Sequence, residues 1–152
     1  MIAILLNDAS FEQDIRELLM AFYPGETFTH KEEEAGEVEL IVRGVRDGNS
    51  FSLDVTPVKK EAVHFALIYP DFSNRFETKN EIKQTLYRLL SAQTGRELPW
   101  GTLTGIRPTK IALTKLYDGW TDEQIETYMR ETYFTSKEKI DLSIDVAERE
   151  RR

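Results

Sequence analysis

The spacing of the apolar residues changes once along this chain, near Leu98 and Pro99, and this change limits the fold to two dissimilar parts. Before this point, short alternating runs that suit strands are interspersed with apolar residues at helical spacing. After it, helical spacing alone recurs. Sheet and helix segregated in this way indicate an α+β architecture. We therefore predict an α/β domain over residues 1–97 and a helical segment over residues 98–152.

The first part predicts a small mixed or antiparallel sheet of three to five strands. Residues 2–6 form a short apolar run that suits a first strand. Residues 38–42 and 51–55 alternate on either side of Asp47-Gly48, a dipeptide typical of a hairpin turn. Residues 63–69 are assigned to a further strand in preference to a helix.

Two helices are predicted to flank this sheet. Residues 10–13 and 78–81 each match a capping box, in which a Ser or Thr side chain accepts from a backbone amide three residues later. The second helix is expected to end at Gly95. The aromatic side chains of Phe65 and Tyr69 are expected in the core rather than on a binding surface.

Three helices are predicted in the second part of the chain. Pro108 occupies the position of a first helical residue, and Gly119 closes that helix. Thr121 and residues 135–138 supply start signals for the next two helices. No stop signal follows the last helix up to Arg152, so we expect the natural protein to continue beyond it.

Composition excludes several classes of function. The chain has no cysteine, which removes disulfides, thiolate nucleophiles and cysteine-held metal clusters. Its two histidines, His30 and His64, lack metal-ligand spacing. The net charge of −7 disfavours nucleic acid as a partner. No apolar run approaches the roughly 20 residues of a membrane span, so we expect a cytoplasmic protein without a membrane partner.

Residues 99–110, Pro-Trp-Gly-Thr-Leu-Thr-Gly-Ile-Arg-Pro-Thr-Lys, carry the most chemical information. Glycines allow backbone to approach a ligand closely, and a helix start presents free amides and partial positive charge. Two cations at the same place would favour a carboxylate or phosphate. The string does not match a nucleotide-binding phosphate loop, so nucleotide hydrolysis is rejected. The candidate anion-binding residues are Thr104, Gly105, Arg107, Thr109 and Lys110.

A structural joint is the alternative interpretation of this segment. Glycines and Pro108 would turn the chain between the two parts, Trp100 would pack at the seam, and Arg107 would pair with a carboxylate. From spacing alone we rank the joint first, because Gly and Pro mark turns more often than sites.

The same segment resembles a known family. Trp100-Gly101 and residues 103–110, Leu-Thr-Gly-Ile-Arg-Pro-Thr-Lys, are similar to the segment upstream of the radical-SAM core in HemZ-type coproporphyrinogen dehydrogenases. Residues 91–95, Ser-Ala-Gln-Thr-Gly, resemble that family as well. The close match covers about 20 residues and a looser one covers most of the chain.

The resemblance implies a larger parent protein. The family is similar to oxygen-independent coproporphyrinogen III oxidases, which use a [4Fe–4S] cluster and S-adenosylmethionine to turn propionates into vinyl groups during haem synthesis. Their cluster is held by a C-x-x-x-C-x-x-C motif, which this cysteine-free chain lacks. We therefore expect no cofactor in this chain, a radical-SAM core beyond Arg152 as its partner, and no catalysis by this chain alone.

The resemblance also suggests a ligand for the candidate residues. Coproporphyrinogen carries propionates, and Arg107 would clamp one carboxylate while Lys110 supplies a point charge. Thr104 and Gly105 would add hydrogen-bond donors. This makes an accessory domain the first hypothesis. The alternatives are a protein-interaction or homodimerisation module and, against the charge, an RNA-binding unit.

Overall fold

The computed structural model describes residues 1–31, 38–59, 63–104 and 108–151. These residues divide into two compact units, Met1–Arg96 and Glu97–Arg152. The first unit contains a five-stranded sheet and two α-helices, and the second contains three α-helices. The predicted α+β class, with a small mixed sheet, two flanking helices and three C-terminal helices, is confirmed.

The sheet is mixed, and its strands are β1 (Ile2–Leu6), β2 (Phe28–Thr29), β3 (Leu40–Asp47), β4 (Ser50–Pro57) and β5 (His64–Ile68). Their order across the sheet is β2-β1-β3-β4-β5. β1 runs parallel to both of its neighbours, whereas β3, β4 and β5 form an antiparallel meander. β5 therefore lies at one edge of the sheet.

The hairpin between β3 and β4 is where it was predicted, but its two turn residues are Gly48 and Asn49, one position later than Asp47-Gly48. Asp47 pairs with Ser50, so the turn contains two residues. Gly48 has a φ of +61°, a conformation that glycine adopts without steric cost. Positive φ in the first central residue suits the twist of a two-residue hairpin.

The helices of the first unit are α1 (Glu12–Phe22) and α2 (Arg75–Thr94). They pack against each other and against the sheet, where β4 alternates strictly between buried and half-buried residues. Each fully buried Leu or Phe side chain contributes about 1.5–3 kcal/mol relative to an exposed one. The fully buried side chains that fill this core include Ile15, Leu18, Leu19, Phe22, Phe51, Leu53, Ile82, Leu86 and Leu90.

The predicted capping boxes at residues 10–13 and 78–81 are wrong, because upstream Asp and Asn side chains supply the caps instead. Asp8 accepts from the amide of Ser10 at 3.0 Å and opens a short 3₁₀ turn, Ala9–Phe11, ahead of α1. Asn74 accepts from the amide of Glu77 at 3.1 Å and starts α2 earlier than predicted. Asp and Asn are among the strongest N-cap residues. Gly95, with a φ of +72°, ends α2 as predicted.

The second unit consists of α3 (Pro108–Tyr117), α4 (Asp122–Tyr133) and α5 (Lys137–Arg151). α4 has the predicted capping box: Thr121 accepts from the amide of Gln124 at 3.2 Å, and the Gln124 side chain accepts from the amide of Thr121 at 2.9 Å. The three helices surround a core of Leu103, Ala112, Leu116, Ile125, Met129, Ile140, Ile144 and Ala147.

The assignment of Phe65 and Tyr69 to the core is wrong. Their side chains are 61% and 69% exposed. Both belong to the alternating positions around the edge strand β5 that point away from α2, whereas His64, Ala66 and Ile68 are half-buried. An alternating run predicts which residues share a face, but it does not show whether another layer covers that face.

Within the described part of the chain, no helix combines the length and the apolar composition that a membrane span requires.

Candidate functional site

The segment that precedes α3 is fastened to the connection between α4 and α5 by backbone hydrogen bonds. The amide of Thr102 donates to the carbonyl of Tyr133 at 2.7 Å, and the amide of Ser136 donates to the carbonyl of Pro99 at 2.8 Å. The Thr135 hydroxyl donates to the carbonyl of Trp100 at 3.2 Å. We call this contact between residues 99–102 and 133–136 the latch. It fixes the chain shortly before the candidate residues begin.

Gly101 is required by the latch. It has a φ of +63°, and a Cβ added to it would lie 1.9 Å from the carbonyl oxygen of Tyr133. The atom in the way is backbone, which cannot move aside as the end of a side chain can. Phe134 also has a positive φ, 58°, an uncommon conformation for a bulky residue. The glycine of the family-like Trp-Gly pair therefore has a structural role.

Trp100 packs against the core of the helical unit. Leu103, two residues beyond Gly101, is buried in that same core. The first half of the segment thus belongs to the folded helical unit and does not expose its side chains as a free loop would. This agrees with a structural role for residues 99–103.

The structure places some of the predicted site residues and leaves others outside the described residues. Thr104 is half-buried and directly follows Leu103. Gly105 and Arg107 lie outside the described residues, as does Ile106. Thr109 and Lys110 share the first turn of α3, where Thr109 is half-buried and Lys110 is exposed.

The start of α3 carries no negative charge in its first turn. The helix begins at Pro108, as predicted. The backbone carbonyl of Lys110 accepts from the Thr114 hydroxyl at 2.9 Å, and the Lys110 residue is exposed. Free amides, the helix dipole and an exposed ammonium group can together bind a carboxylate.

Sequence reasoning did not find a cation–aromatic cluster on the helical unit. The Lys115 ammonium lies 4.6 Å from the ring centroid of Trp120 and 4.7 Å from that of Tyr128. Tyr128 also meets Tyr133 edge to face at 5.8 Å. Burial raises the pKa of Tyr133, and the nearby Tyr128 hydroxyl raises it further. Lys115 lies in α3, and Trp120 lies beyond the turn at Gly119. Because the two residues do not share a helix, their contact cannot be predicted from helical spacing.

The described residues of the helical unit line concave surfaces. An open one of about 680 Å³ borders Trp120, Gln124 and Tyr128. A second, of about 270 Å³, lies between α4 and α5 and is lined mostly by carboxylates. Lys137 lies 3.3 Å from Asp141 and 3.5 Å from Glu126. Its hydrogen bond to Asp141 and the charges of both carboxylates raise the pKa of Lys137.

A third cleft, of about 320 Å³, lies on the sheet-bearing unit beside Tyr23 and Gln93. The Tyr23 hydroxyl donates to the Gln93 side chain. Burial raises the pKa of Tyr23, and the charge of Arg96 partly opposes this effect. None of the candidate anion-binding residues predicted from the sequence lines this cleft.

The residues of this chain do not fit an iron–sulfur cluster. Such clusters need thiolate ligands, and the chain has no cysteine. In the part of the chain that the structure describes, no three His, Asp or Glu side chains come together to hold a metal ion.

Comparison with known proteins supports one relationship. No protein-family model matches the chain. No solved structure matches it either. It is 35% identical, over 98 residues or 62% of its own length, to the oxygen-independent coproporphyrinogen-III oxidase-like protein HemZ of Bacillus subtilis (strain 168). The match covers 19% of HemZ, so the chain spans about one fifth of this curated relative. The predicted resemblance to a HemZ-type protein is thereby confirmed as similarity to part of that protein.

Proposed function

We propose that this chain is an accessory domain of a larger oxygen-independent coproporphyrinogen III oxidase-like protein of porphyrin biosynthesis. The observation that carries the proposal is the 35% identity to HemZ over 98 residues, which spans only 19% of that protein. The complete protein would be a cytoplasmic radical-SAM oxidoreductase that decarboxylates propionate side chains oxidatively. Its [4Fe–4S] cluster and S-adenosylmethionine would be held by residues outside this chain, since this chain has no cysteine.

In this proposal the chain packs on the catalytic core and positions one propionate of the tetrapyrrole. Arg107 forms a bidentate pair with the carboxylate, and Lys110 adds a second positive charge. Thr104, Gly105 and Thr109 supply amide or hydroxyl donors around it. The acid-free first turn of α3 and the exposed Lys110 support this assignment.

The latch supports a positioning role. It holds the chain up to Thr102 by backbone hydrogen bonds, and the burial of Leu103 extends the fixed part by one residue. Pro108 fixes the start of α3 from the other side. The described residues on both sides of positions 105–107 are therefore held by the helical unit. Held flanking residues reduce the conformational entropy that a binding segment loses when it takes up a ligand.

The proposal is tested by titrating the 152-residue chain with coproporphyrin III, whose absorbance and fluorescence report binding. We expect the free acid to bind and its tetramethyl ester to bind at least tenfold more weakly, because the ester removes the carboxylate charges. Replacing Arg107 by Ala should weaken binding by about 10- to 100-fold, the range expected for a charged hydrogen bond worth about 1.5–3 kcal/mol. Lys110→Ala should have a smaller effect.

The matched control is Arg75→Ala, because Arg75 is exposed at the start of the other unit's helix α2. It changes the net charge by the same amount at a residue outside the candidate segment. Equal affinity of the acid and the ester would contradict the proposal. The proposal would also be contradicted if Arg75→Ala lost as much affinity for coproporphyrin III as Arg107→Ala. Both losses would then reflect the change in net charge alone.

A further inference from the structure

The edge strand β5 exposes a continuous apolar stripe. Val63, Phe65, Leu67 and Tyr69 are 57%, 61%, 48% and 69% exposed. They alternate with the half-buried His64, Ala66 and Ile68, so they share one face of the sheet. Isolated apolar residues are common on protein surfaces, but a contiguous patch marks an interaction site. We call these four residues the β5 stripe.

β5 lacks the sequence features that commonly prevent an edge strand from pairing with another strand. Residues 63–69 contain no Asp, Glu, Lys, Arg or Pro. Natural edge strands are commonly protected by such charges, by proline or by a bulge. Among the described residues, the backbone of β5 has hydrogen-bonded strand partners on its β4 side alone. On its other side no strand of the described residues pairs with β5, so this edge can accept a further strand.

We propose that a second copy of this chain pairs with it through β5, antiparallel and about a twofold axis at Ala66. This register overlaps the whole strand, because His64 then faces Ile68 of the second copy and Phe65 faces its Leu67. The five-stranded sheet continues across the axis, and the two stripes lie side by side on one face. This inference does not rest on the proposed tetrapyrrole role.

The arrangement of residues about Ala66 favours a second copy over an unrelated chain. A twofold interface requires a surface that is complementary to itself. In β5, Phe65 and Leu67 lie at equal distances from Ala66, as do Val63 and Tyr69, so each large side chain meets an apolar partner. Pairs of aromatic and aliphatic side chains across strands are favourable.

The β5 stripe avoids the charge repulsion that two copies would meet at most other surfaces. The chain carries a net charge of −7, so two copies repel each other over most of their surfaces. The β5 stripe has no formal charge. Phe65 lies directly opposite Asp54, which is itself opposite Arg43 in the next strand, and these two charges lie 4.0 Å apart. The neighbouring acid is therefore locally balanced.

The size of the stripe sets the expected affinity. An aromatic side chain buries roughly 150–250 Å² when fully covered, and the two aromatics here are about two-thirds exposed. The four side chains of each copy thus offer a few hundred Å². Two such contributions stay below the roughly 1,200–2,000 Å² that stable interfaces bury in total, so this is a weak contact. We expect a dissociation constant in the micromolar range or weaker.

Sedimentation velocity over a concentration series of the 152-residue chain tests the dimer. We expect a reversible shift from monomer to dimer between about 1 µM and 1 mM. Leu67→Lys should weaken dimerisation at least tenfold, because lysine on an edge strand opposes pairing. The matched control is Leu142→Lys on α5, since Leu142 is 46% exposed and Leu67 is 48% exposed. It should dimerise like the unmodified chain.

A cysteine cross-link tests the register. Because the chain has no cysteine, Ala66→Cys provides a single thiol. Facing residues of antiparallel strands have Cα atoms about 4.5–5.5 Å apart, within disulfide range. Ala66→Cys should therefore oxidise to a disulfide-linked dimer much faster than Leu142→Cys. Circular dichroism of each variant checks that it is folded.

Three results would overturn the proposal. A chain that stays monomeric at 1 mM has no such interface. A dimer that survives Leu67→Lys, or that Leu142→Lys weakens equally, uses another surface. Equal cross-linking of Ala66→Cys and Leu142→Cys excludes the twofold axis at Ala66.

Discussion

The backbone amide of Thr102 donates a 2.7 Å hydrogen bond to the carbonyl oxygen of Tyr133, and this bond joins the start of the helical unit to the end of α4. The two residues are 31 positions apart. The bond is made at the place where the family-like segment begins. The segment is therefore packed into the helical unit up to Leu103, and α3 of the same unit begins at Pro108.

Gly101→Ala should destabilise the helical unit by more than about 2 kcal/mol. The added methyl group would meet the Tyr133 carbonyl at 1.9 Å, and φ is +63°. Gly119→Ala is the control, because Gly119 also has a positive φ, 85°, but no atom within 4 Å of an added Cβ. That change should cost only about 1–2 kcal/mol. Both tryptophans, Trp100 and Trp120, lie in this unit, so fluorescence-detected urea unfolding measures it directly. Equal losses in the two variants would refute the role of the latch.

Thr121→Ala should lower the stability of the same unit by about 1 kcal/mol, because it removes the side-chain acceptor of the capping box at α4. Thr127→Ala is the matched control, since Thr127 is exposed within the same helix. Alanine is the better helix former there, so that variant should be unchanged or slightly more stable. The two midpoints of urea unfolding give the comparison. If Thr121→Ala unfolds at the same urea concentration as the unmodified chain, the capping box does not stabilise the unit.

Lys115→Met should destabilise the helical unit by about 1 kcal/mol, because it removes the cation that lies over the rings of Trp120 and Tyr128. Lys115→Arg keeps a cation at this position and should retain most of the stability. Unfolding monitored by Trp fluorescence distinguishes the two variants. Equal unfolding midpoints for Lys115→Met and Lys115→Arg would show that the positive charge does not stabilise the unit.

The sheet-bearing unit should lose stability at low pH in part through Asp8. Hydrogen bonds from Ser10, with a further contribution from Arg46, lower the pKa of Asp8 below its usual value of 3.8. The charged form is thus favoured in the folded state, so its stabilising effect is complete above the unfolded pKa. The effect is lost as pH falls through the lower folded pKa.

Asp8→Asn is the test of this pH dependence. The difference in unfolding free energy between the unmodified chain and Asp8→Asn should shrink as pH falls from 6 to below 3.8. Urea unfolding followed by circular dichroism at several pH values measures that difference. A difference independent of pH would contradict the assigned contacts.

Local sequence signals account for most of the elements. The Asp47-Gly48 dipeptide and the alternating runs around it predict the β3–β4 hairpin, and Thr121 with Gln124 predicts the start of α4. β2 was not predicted because its two residues, Phe28 and Thr29, are too few to show a period. The start of α2 was misplaced because Asn74 caps it ahead of Thr78, and Asp8 caps a short 3₁₀ turn that precedes α1.

Long-range contacts explain what remained hidden. The latch joins backbone atoms of residues 99–102 and 133–136, and such bonds do not depend on side-chain identity. Gly101 is the residue whose identity the latch requires. The exposure of Phe65 depends on β5 being an edge strand, which is a property of strand order and not of local composition. Of the candidate site, Pro108 was correctly placed at a helix start, whereas the anion-binding role of residues 104–110 stays a prediction.

The most direct test of the account is a map of where a propionate-bearing tetrapyrrole contacts the chain. Amide ¹H–¹⁵N spectra of the ¹⁵N-labelled chain, recorded during titration with coproporphyrin III, supply that map. We predict that the largest shifts occur at residues 104–110, including Thr109 and Lys110, and that Arg107→Ala abolishes them. Absence of shifts in this segment, or shifts confined to the β5 stripe, would contradict the account.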